Sequence, residues 1–417
     1  MLKILFASHN PYIVSGYAIQ LYYLINKLYE YKEQIEIRVL CFNDEGFGTG
    51  VNAPISISEY ATMNTSITTS SFVDTKSRMY KELKLYFAGT ITTDINVDVY
   101  WEKIHQVVVN YKCDKVICFM DIWPYEKYDI SSIKCEKYVW LPIHNNFLNH
   151  SLIPKMEYNL ETRNLWHLPY FNKIATFSTF GMEVLKSFMY EPTFINHVID
   201  KTVFYNSHNK AELREKYGLP QNSYICLMIA RNAEHNDRKG YLPQLKAFAL
   251  FSKDKLNCKL LIHENSSYSL ENGVTNLKEY AKKLGILKNI IVVDRSIRSK
   301  DHIRELFNLS DVLLCASRSE GFGVPMVEAQ FCDLLVITNK CTSMPFNTSY
   351  GVCVEPDDVS LSLNGENSWS NPSPERICEV LNNFYTANLN EYNIKPIDKN
   401  KYDINVVFED WKKFLDI

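Results

Sequence analysis

Short apolar runs alternate along the chain with longer segments in which apolar residues recur every three to four positions. Runs of four to eight apolar residues are typical of buried strands, and the longer segments have the spacing of amphipathic helices. Strands that alternate with helices form parallel sheets, so the pattern predicts an α/β architecture. The predicted strands lie at residues 4–7, 35–42, 115–120, 137–143, 174–178, 224–230, 259–263, 290–293, 312–316, 334–338 and 352–354.

The chain of 417 residues is too long for one ordinary hydrophobic core, and two domains of about 200 residues are expected. The strand and helix pattern fades between residues 45 and 95, where residues 62–71 are rich in Ser and Thr and poor in apolar side chains. We therefore expect an irregular insertion at about 45–95. Residues 361–372, rich in Ser, Asn and Gly, are expected to form a loop.

The composition indicates a globular protein, and its charge argues against nucleic acid as a partner. Apolar residues make up 46% and charged residues 22%, which is enough apolar content to bury a core. A net charge of −3 provides no basic field for a phosphate backbone. The eleven cysteines contain no Cys-x-x-Cys, which favours free thiols in a reducing compartment. Without a signal peptide or an apolar run near 18 residues, we expect a cytoplasmic protein with no transmembrane segment.

Residues 317–331 contain the most informative pattern, a loop with two glycines that follows an apolar run and leads into a helix. Pro325 suits a first helical position. The first N–H groups of such a helix have no partner within it, and they favour phosphate. Glu320 and Glu328 bracket the helix start. Carboxylates are poor ligands for a phosphate, but they accept hydrogen bonds from the hydroxyls of a sugar. The alternative is a capped helix with two solvated acids.

The segment Glu320-Gly-Phe-Gly-Val-Pro-Met-Val-Glu328, followed by Ala329, resembles the E-x7-E element of family 4 retaining glycosyltransferases, which have the GT-B fold. The chain also resembles glycosyltransferases encoded by large algal (chlorella) viruses. The resemblance implies two Rossmann-like parallel-sheet domains that face an interdomain cleft. Residues 1–195 would form the acceptor domain, completed by a C-terminal helix at 402–417. Residues 196–401 would bind the nucleotide-sugar.

Two cations are candidates to neutralise the diphosphate that leaves when a sugar is transferred. Arg231 and Lys239 follow the strand predicted at 224–230, at the carboxyl end where α/β proteins bind ligands. An Arg fork binds phosphate oxygens in pairs, and a Lys provides a compact charge. The gap between the two cations is longer than the family's, so Arg238 stays an alternative to Lys239. A solvated basic loop is the structural alternative.

The resemblance implies that Glu320 contacts the transferred sugar and Glu328 the ribose, while N–H groups of the glycine loop meet the sugar and phosphate. The motif residues implied in donor binding are Glu320, Gly321, Phe322, Gly323, Val324 and Glu328. The catalytic set implied by the resemblance is Glu320, Arg231, Lys239 and His144.

Four further positions follow predicted strands. Gly16 could turn backbone N–H groups toward the diphosphate, or could be an ordinary turn residue. His144 would lie near the donor sugar in the family, or could cap the next turn. Asp121 is a candidate for acceptor hydroxyls, and Arg295 for the base or phosphate of the donor.

The implied activity is the retaining, metal-independent transfer of a hexose or deoxyhexose from a nucleotide-sugar to a glycan or glycoconjugate acceptor. The chain has no Asp-x-Asp motif, so Arg and Lys would replace a metal ion, and no cofactor is expected. The viral resemblance favours a GDP-sugar such as GDP-mannose, with UDP-sugars next. Contact with a membrane surface stays open, as in several related transferases.

Two other classes of protein were weighed. A dinucleotide-dependent oxidoreductase needs Gly-x-Gly-x-x-Gly after the first strand, and residues 8–16 contain one glycine. A catalytically inactive nucleotide- or glycan-binding protein that kept the fold is the main alternative.

Overall fold

The computed structural model describes most of the two lobes. The described residues are 1–9, 16–42, 68–72, 83–87, 97–119, 130–144, 168–230, 237–264, 276–294, 299–361 and 368–417.

The first lobe is built on an eight-stranded sheet with the order β3-β4-β2-β1-β5-β6-β7-β8. Its strands pair in parallel except β3, which pairs antiparallel with β4 at one edge. The strands are β1 (Leu2–His9), β2 (Ile35–Phe42), β3 (Thr68–Phe72), β4 (Leu83–Phe87), β5 (Lys115–Phe119), β6 (Glu136–Leu141), β7 (Lys173–Thr176) and β8 (Thr193–Phe194). Helices α1 (Gly16–Leu28), α2 (Val97–Tyr111) and α3 (Thr179–Ser187) accompany them.

The second lobe contains a parallel six-stranded sheet with the order β11-β10-β9-β12-β13-β14. Its strands are β9 (Tyr224–Ile229), β10 (Cys258–Glu264), β11 (Ile290–Asp294), β12 (Val312–Cys315), β13 (Leu335–Asn339) and β14 (Gly351–Val354). An antiparallel hairpin follows, formed by β15 (Pro356–Leu361) and β16 (Ser368–Pro372). The helices are α4 (Lys210–Lys216), α5 (Tyr241–Ser252), α6 (Leu277–Lys283), α7 (Lys300–Leu309), α8 (Val324–Phe331), α9 (Met344–Asn347), α10 (Pro374–Tyr385) and α11 (Ile404–Leu415).

The predicted α/β fold class with two parallel-sheet domains is confirmed, and two local predictions are wrong. Strands β3 and β4 lie inside the stretch predicted to be irregular, whose other residues between 45 and 95 lie outside the described part. Strand β3 was not predicted because its Thr and Ser residues do not form an apolar run, although Thr is a good strand former. The predicted loop at 361–372 contains β16, in which Trp369 is buried.

Helix α11 follows the second lobe in sequence and packs on the sheet of the first lobe. The Trp411 ring stacks on Phe119 of β5, with ring centroids 5.6 Å apart, and lies 6.0 Å from Trp140 of β6. Lys115 anchors the end of the helix, because its Nζ donates to the carbonyl of Leu415 at 2.7 Å. The core of the first lobe therefore includes residues from the far end of the described chain.

Replacing Trp411 by alanine should lower the free energy of unfolding by about 3–5 kcal/mol, because the ring is buried in an aromatic cluster and its loss leaves a cavity. Val406 on the same helix is 50% exposed, and Val406→Ala should change stability by less than about 0.5 kcal/mol. Urea unfolding of both variants beside the unsubstituted chain measures the difference. Equal stability of the two variants would mean that α11 does not complete the first core.

None of the helices in the described ranges is long and apolar enough to cross a lipid bilayer.

Candidate functional site

The glycine loop lies between β12 and α8, and side chains of the neighbouring loop fix its backbone. The Glu320 N–H donates to Thr342 Oγ1 at 3.0 Å, and Ser343 Oγ donates to the Glu320 carbonyl at 2.8 Å. Gly323 has a φ of 84°, a left-handed conformation that favours glycine. Helix α8 begins directly afterwards, so its first N–H groups are presented at the loop. The loop is thus held in one conformation at a helix start.

Lys239 and Glu320 form a direct ion pair. Lys239 Nζ donates to Glu320 Oε1 at 2.7 Å, and Ser317 Oγ donates to the same oxygen at 2.7 Å. Arg238 Nη1 lies 3.5 Å from Glu320 Oε2. Lys239 and Arg238, the two alternatives from the sequence, therefore both face Glu320, and Lys239 makes the shorter contact.

The backbone beside Lys239 requires glycine at the next position. Gly240 has a φ of 65°, and a Cβ there would lie 2.4 Å from the carbonyl oxygen of Ala316. Gln244 then joins the two loops, since its Nε2 donates to the Lys239 carbonyl at 2.9 Å and its Oε1 accepts from the Ala316 N–H at 2.9 Å. The close approach brings Lys239 to the glycine loop.

Glu320 is a buried carboxylate that remains ionised. Burial opposes its charge, but Lys239 and Arg238 and the hydrogen bonds from Lys239 and Ser317 outweigh burial and lower its pKa to about 2. A carboxyl held in this state cannot donate a proton near neutral pH. It can accept hydrogen bonds, the property needed to hold sugar hydroxyls.

The side chain of Phe322 packs into the interior, and the expected contact of its backbone N–H group with the donor stays a prediction. The ring is 4% exposed. Its centroid lies 4.2 Å from that of His197, which belongs to the connector between the lobes (residues 195–209). The centroid of Phe177, which follows β7, is 6.2 Å away. Burial lowers the pKa of His197 to about 3, so this imidazole is neutral. The Phe322 side chain therefore ties the glycine loop to the first lobe, which leaves only its backbone available to a ligand.

His144 of the first lobe also meets the glycine loop. Ser319 Oγ donates a hydrogen bond to the His144 backbone carbonyl. A Cβ at Gly321 would lie 3.2 Å from Pro142 Cβ and 3.8 Å from His144 Cβ, so a larger residue would press on the first lobe. The structure thus places His144, Gly321 and Glu320 within one region between the lobes.

A second group of predicted residues lines a cavity between the lobes. Gly16, at the start of α1, shares this cavity with Val324 and Glu328 of α8. Burial raises the pKa of Glu328 to about 8, opposed by the charge of Lys300. The two motif carboxylates therefore have opposite environments, one paired with cations and one poorly compensated.

Three predicted site residues, Asp121, Arg231 and Arg295, lie outside the described residues, and their assignments stay predictions. Four further residues lie at the two groups but were not predicted from the sequence: Ser317, Gln244, Lys300 and Tyr23. Ser317 and Gln244 had a usable signal, since each is close in sequence to a motif residue. Lys300 and Tyr23 had none, because only the fold brings them together.

The chain is similar to known proteins both in sequence and in structure. Residues 209–358, which lie in the second lobe, match the family model described as "Glycosyl transferases group 1". N-acetyl-alpha-D-glucosaminyl L-malate synthase of Bacillus anthracis is 26% identical over 161 residues. That alignment covers 38% of this chain and 38% of the length of that relative.

Solved structures share the whole fold. Sucrose-phosphate synthase from Thermosynechococcus elongatus superposes with a TM-score of 0.65 at 13% identity, covering 99% of this chain and 96% of that one. HepE of Anabaena, solved with UDP and glucose, gives 0.65 at 14% identity over 100% of both chains. A glycosyltransferase from Rickettsia africae gives 0.60 at 16% identity, over 99% and 98%. The expected GT-B fold is confirmed.

Proposed function

We propose that the protein is a retaining glycosyltransferase that moves a hexose or deoxyhexose from a nucleotide-sugar to a glycan or glycoconjugate acceptor. The observation that carries the proposal is the ionised Glu320, held by Lys239 at the start of α8 and beside His144 of the opposite lobe. The match to the group 1 family model and the GT-B fold support the same class of reaction.

The roles follow from the charges in the site. As the sugar leaves, negative charge grows on the diphosphate, and Lys239, Arg231 and the N–H groups at the start of α8 would stabilise it. Glu320 would accept hydrogen bonds from hydroxyls of the transferred sugar and hold it near the acceptor. Lys239 is already paired with Glu320, so the donor phosphate and Glu320 would both contact the same Lys239 ammonium group. His144 would cover the sugar from the first lobe.

Retention of configuration is proposed to follow a front-face route, in which the departing phosphate takes the proton of the acceptor hydroxyl. This route needs no protein base. It suits Glu320, which is surrounded by hydrogen-bond donors and cations rather than exposed as a nucleophile. The charges of Arg and Lys would serve where other transferases use a metal ion.

The donor is proposed to be a GDP-sugar such as GDP-mannose, on the resemblance to algal viral enzymes, with a UDP-sugar next. HepE, which shares the fold, was solved with UDP and glucose, so UDP-sugars belong in the test of the donor. Asp121 of the first lobe is proposed to contact the acceptor.

Release of nucleotide from a panel of GDP- and UDP-sugars tests the proposal, with acceptor glycans supplied and product configuration read by NMR. Release from one donor class with a retained anomeric configuration is the expected result. The alternative, an inactive nucleotide- or glycan-binding protein, predicts binding of nucleotide in calorimetry without release from any donor.

A further inference from the structure

The cavity between the lobes contains four titratable groups that come from four separate segments. Tyr23 belongs to α1 of the first lobe, Asp200 to the connector, Lys300 to α7 and Glu328 to α8. A site assembled from both lobes and the connector is complete only when the lobes are held together.

The position of Lys300 is unfavourable for a positive charge. It is the first residue of α7, where the helix dipole disfavours a cation, and burial lowers its pKa. Its Nζ donates to Tyr23 Oη at 2.7 Å and lies 4.6 Å from the centroid of the same ring. Tyr23 Oη in turn donates to Asp200 Oδ2 at 3.4 Å. The phenol thereby carries a hydrogen-bonded link from the second lobe through the first to the connector.

Lys300 shares its cavity with Glu328 and is the cation that favours the charged form of this carboxyl. Glu328 is half-buried in the same cavity, burial raises its pKa to about 8, and Lys300 is the group that opposes the rise. Among the described residues, the other titratable groups near it are Tyr23 and Asp200 in the cavity and Cys332, which directly follows α8. None of these three supplies a positive charge.

We propose that Lys300, oriented by Tyr23, is a positioning residue that favours the carboxylate form of Glu328, the form able to accept hydrogen bonds from the ribose hydroxyls of a nucleoside diphosphate. This inference rests on the proposed function for the place of the donor. It adds a cation–phenol pair to the ribose subsite and makes ribose recognition depend on contact between the lobes.

The proposal predicts a preference for ribose over deoxyribose that depends on pH. GDP, UDP and their 2′-deoxy forms are titrated into the full-length protein by calorimetry between about pH 6 and pH 9.5. A hydrogen bond to a charged carboxylate should favour the ribonucleotide by about 10- to 100-fold. Because Glu328 is ionised above its pKa, the preference should be full at high pH and should decrease as pH falls through about 8.

Three variants separate positioning from structure. Lys300→Met removes the charge, so the pKa of Glu328 should rise and the loss of ribose preference should move to higher pH. At pH 8 the preference should then fall by about tenfold, with little change in 2′-deoxynucleotide affinity. Lys300→Arg should restore the preference. Tyr23→Phe keeps the ring and should lose part of the preference. Lys246→Met, which removes an exposed lysine of the same lobe, is the matched control.

Equal weakening of ribo- and deoxyribonucleotides by Lys300→Met, with an unmoved pH midpoint, would assign Lys300 to phosphate binding or to folding and overturn the inference. Equal affinity of the unsubstituted protein for both nucleotides at pH 9.5 would also overturn it, while donor turnover could still support the transferase. Absence of binding by any nucleotide, with absence of turnover, would instead contradict the proposed function itself.

Discussion

Replacing Glu320 by glutamine is expected to reduce sugar transfer by about 10²–10³-fold while the affinity for nucleoside diphosphate changes by less than about threefold. Glutamine preserves the shape of the side chain but removes the charge that Lys239, Arg238 and Ser317 surround. The proposed contact of this carboxylate is with the transferred sugar. The affinity for a free nucleotide, which carries no sugar to transfer, should therefore stay nearly the same. Turnover with the active donor and calorimetry with the nucleotide measure the two effects.

The pH dependence of this variant provides a second readout. The pKa of Glu320 is about 2, so the carboxylate is ionised over the whole range of an ordinary assay, and the reduction should be constant from about pH 5 to pH 9. Glu375→Gln, at a carboxylate on the surface of α10, is the matched control and should keep normal turnover. Near-normal turnover in Glu320→Gln would show that this residue does not lie beside the sugar.

Replacing Lys239 by methionine should weaken donor binding and turnover together, and it should also destabilise the second lobe. The variant leaves Glu320 buried without its closest cation, and breaking a buried ion pair costs about 3–5 kcal/mol. Arg238 and Ser317 remain beside the carboxylate, so the lower end of that range is expected. Denaturant unfolding and donor titration measure the two effects separately.

The double variant Lys239→Met with Glu320→Gln separates the two roles of the pair. Removing both charges relieves the unpaired carboxylate, so stability should return most of the way to that of the unsubstituted chain while turnover stays low. A single Lys239→Met variant as stable as the original chain would contradict the pairing. Recovery of turnover in the double variant would contradict the role of Lys239 at the diphosphate.

The sheets of both lobes could be predicted because their strands are apolar runs, either nearly continuous as in β11 or interrupted by single charged residues as in β2. The run at 35–42 coincides with β2, and the run at 290–293 ends one residue before β11 does. Strand β3, an edge strand of mainly Thr and Ser that pairs with β4, had no such run. In β16, the apolar Trp369 among polar residues was a signal that composition alone obscured.

The site was predictable as far as local sequence determines it. The glycines, the two acids and the Lys-Gly pair stand in short motifs, because backbone turns and helix starts demand particular residues. The direct contact of Lys239 with Glu320 joins residues 81 positions apart, and that of Lys300 with Tyr23 joins residues 277 apart. Such pairs depend on how the sheets and lobes pack, and a single sequence contains no pattern that specifies them.

The return of α11 to the first lobe sets an order on folding during synthesis. The aromatic cluster around Phe119 and Trp140 closes only when Trp411 arrives, after every strand of the second lobe has been translated. All strands of the second sheet are therefore synthesised before α11 can cover the aromatic side chains of the first sheet. Until then the earlier lobe lacks the ring that covers Phe119 and Trp140, and hydrophobic surface exposed in this way favours aggregation.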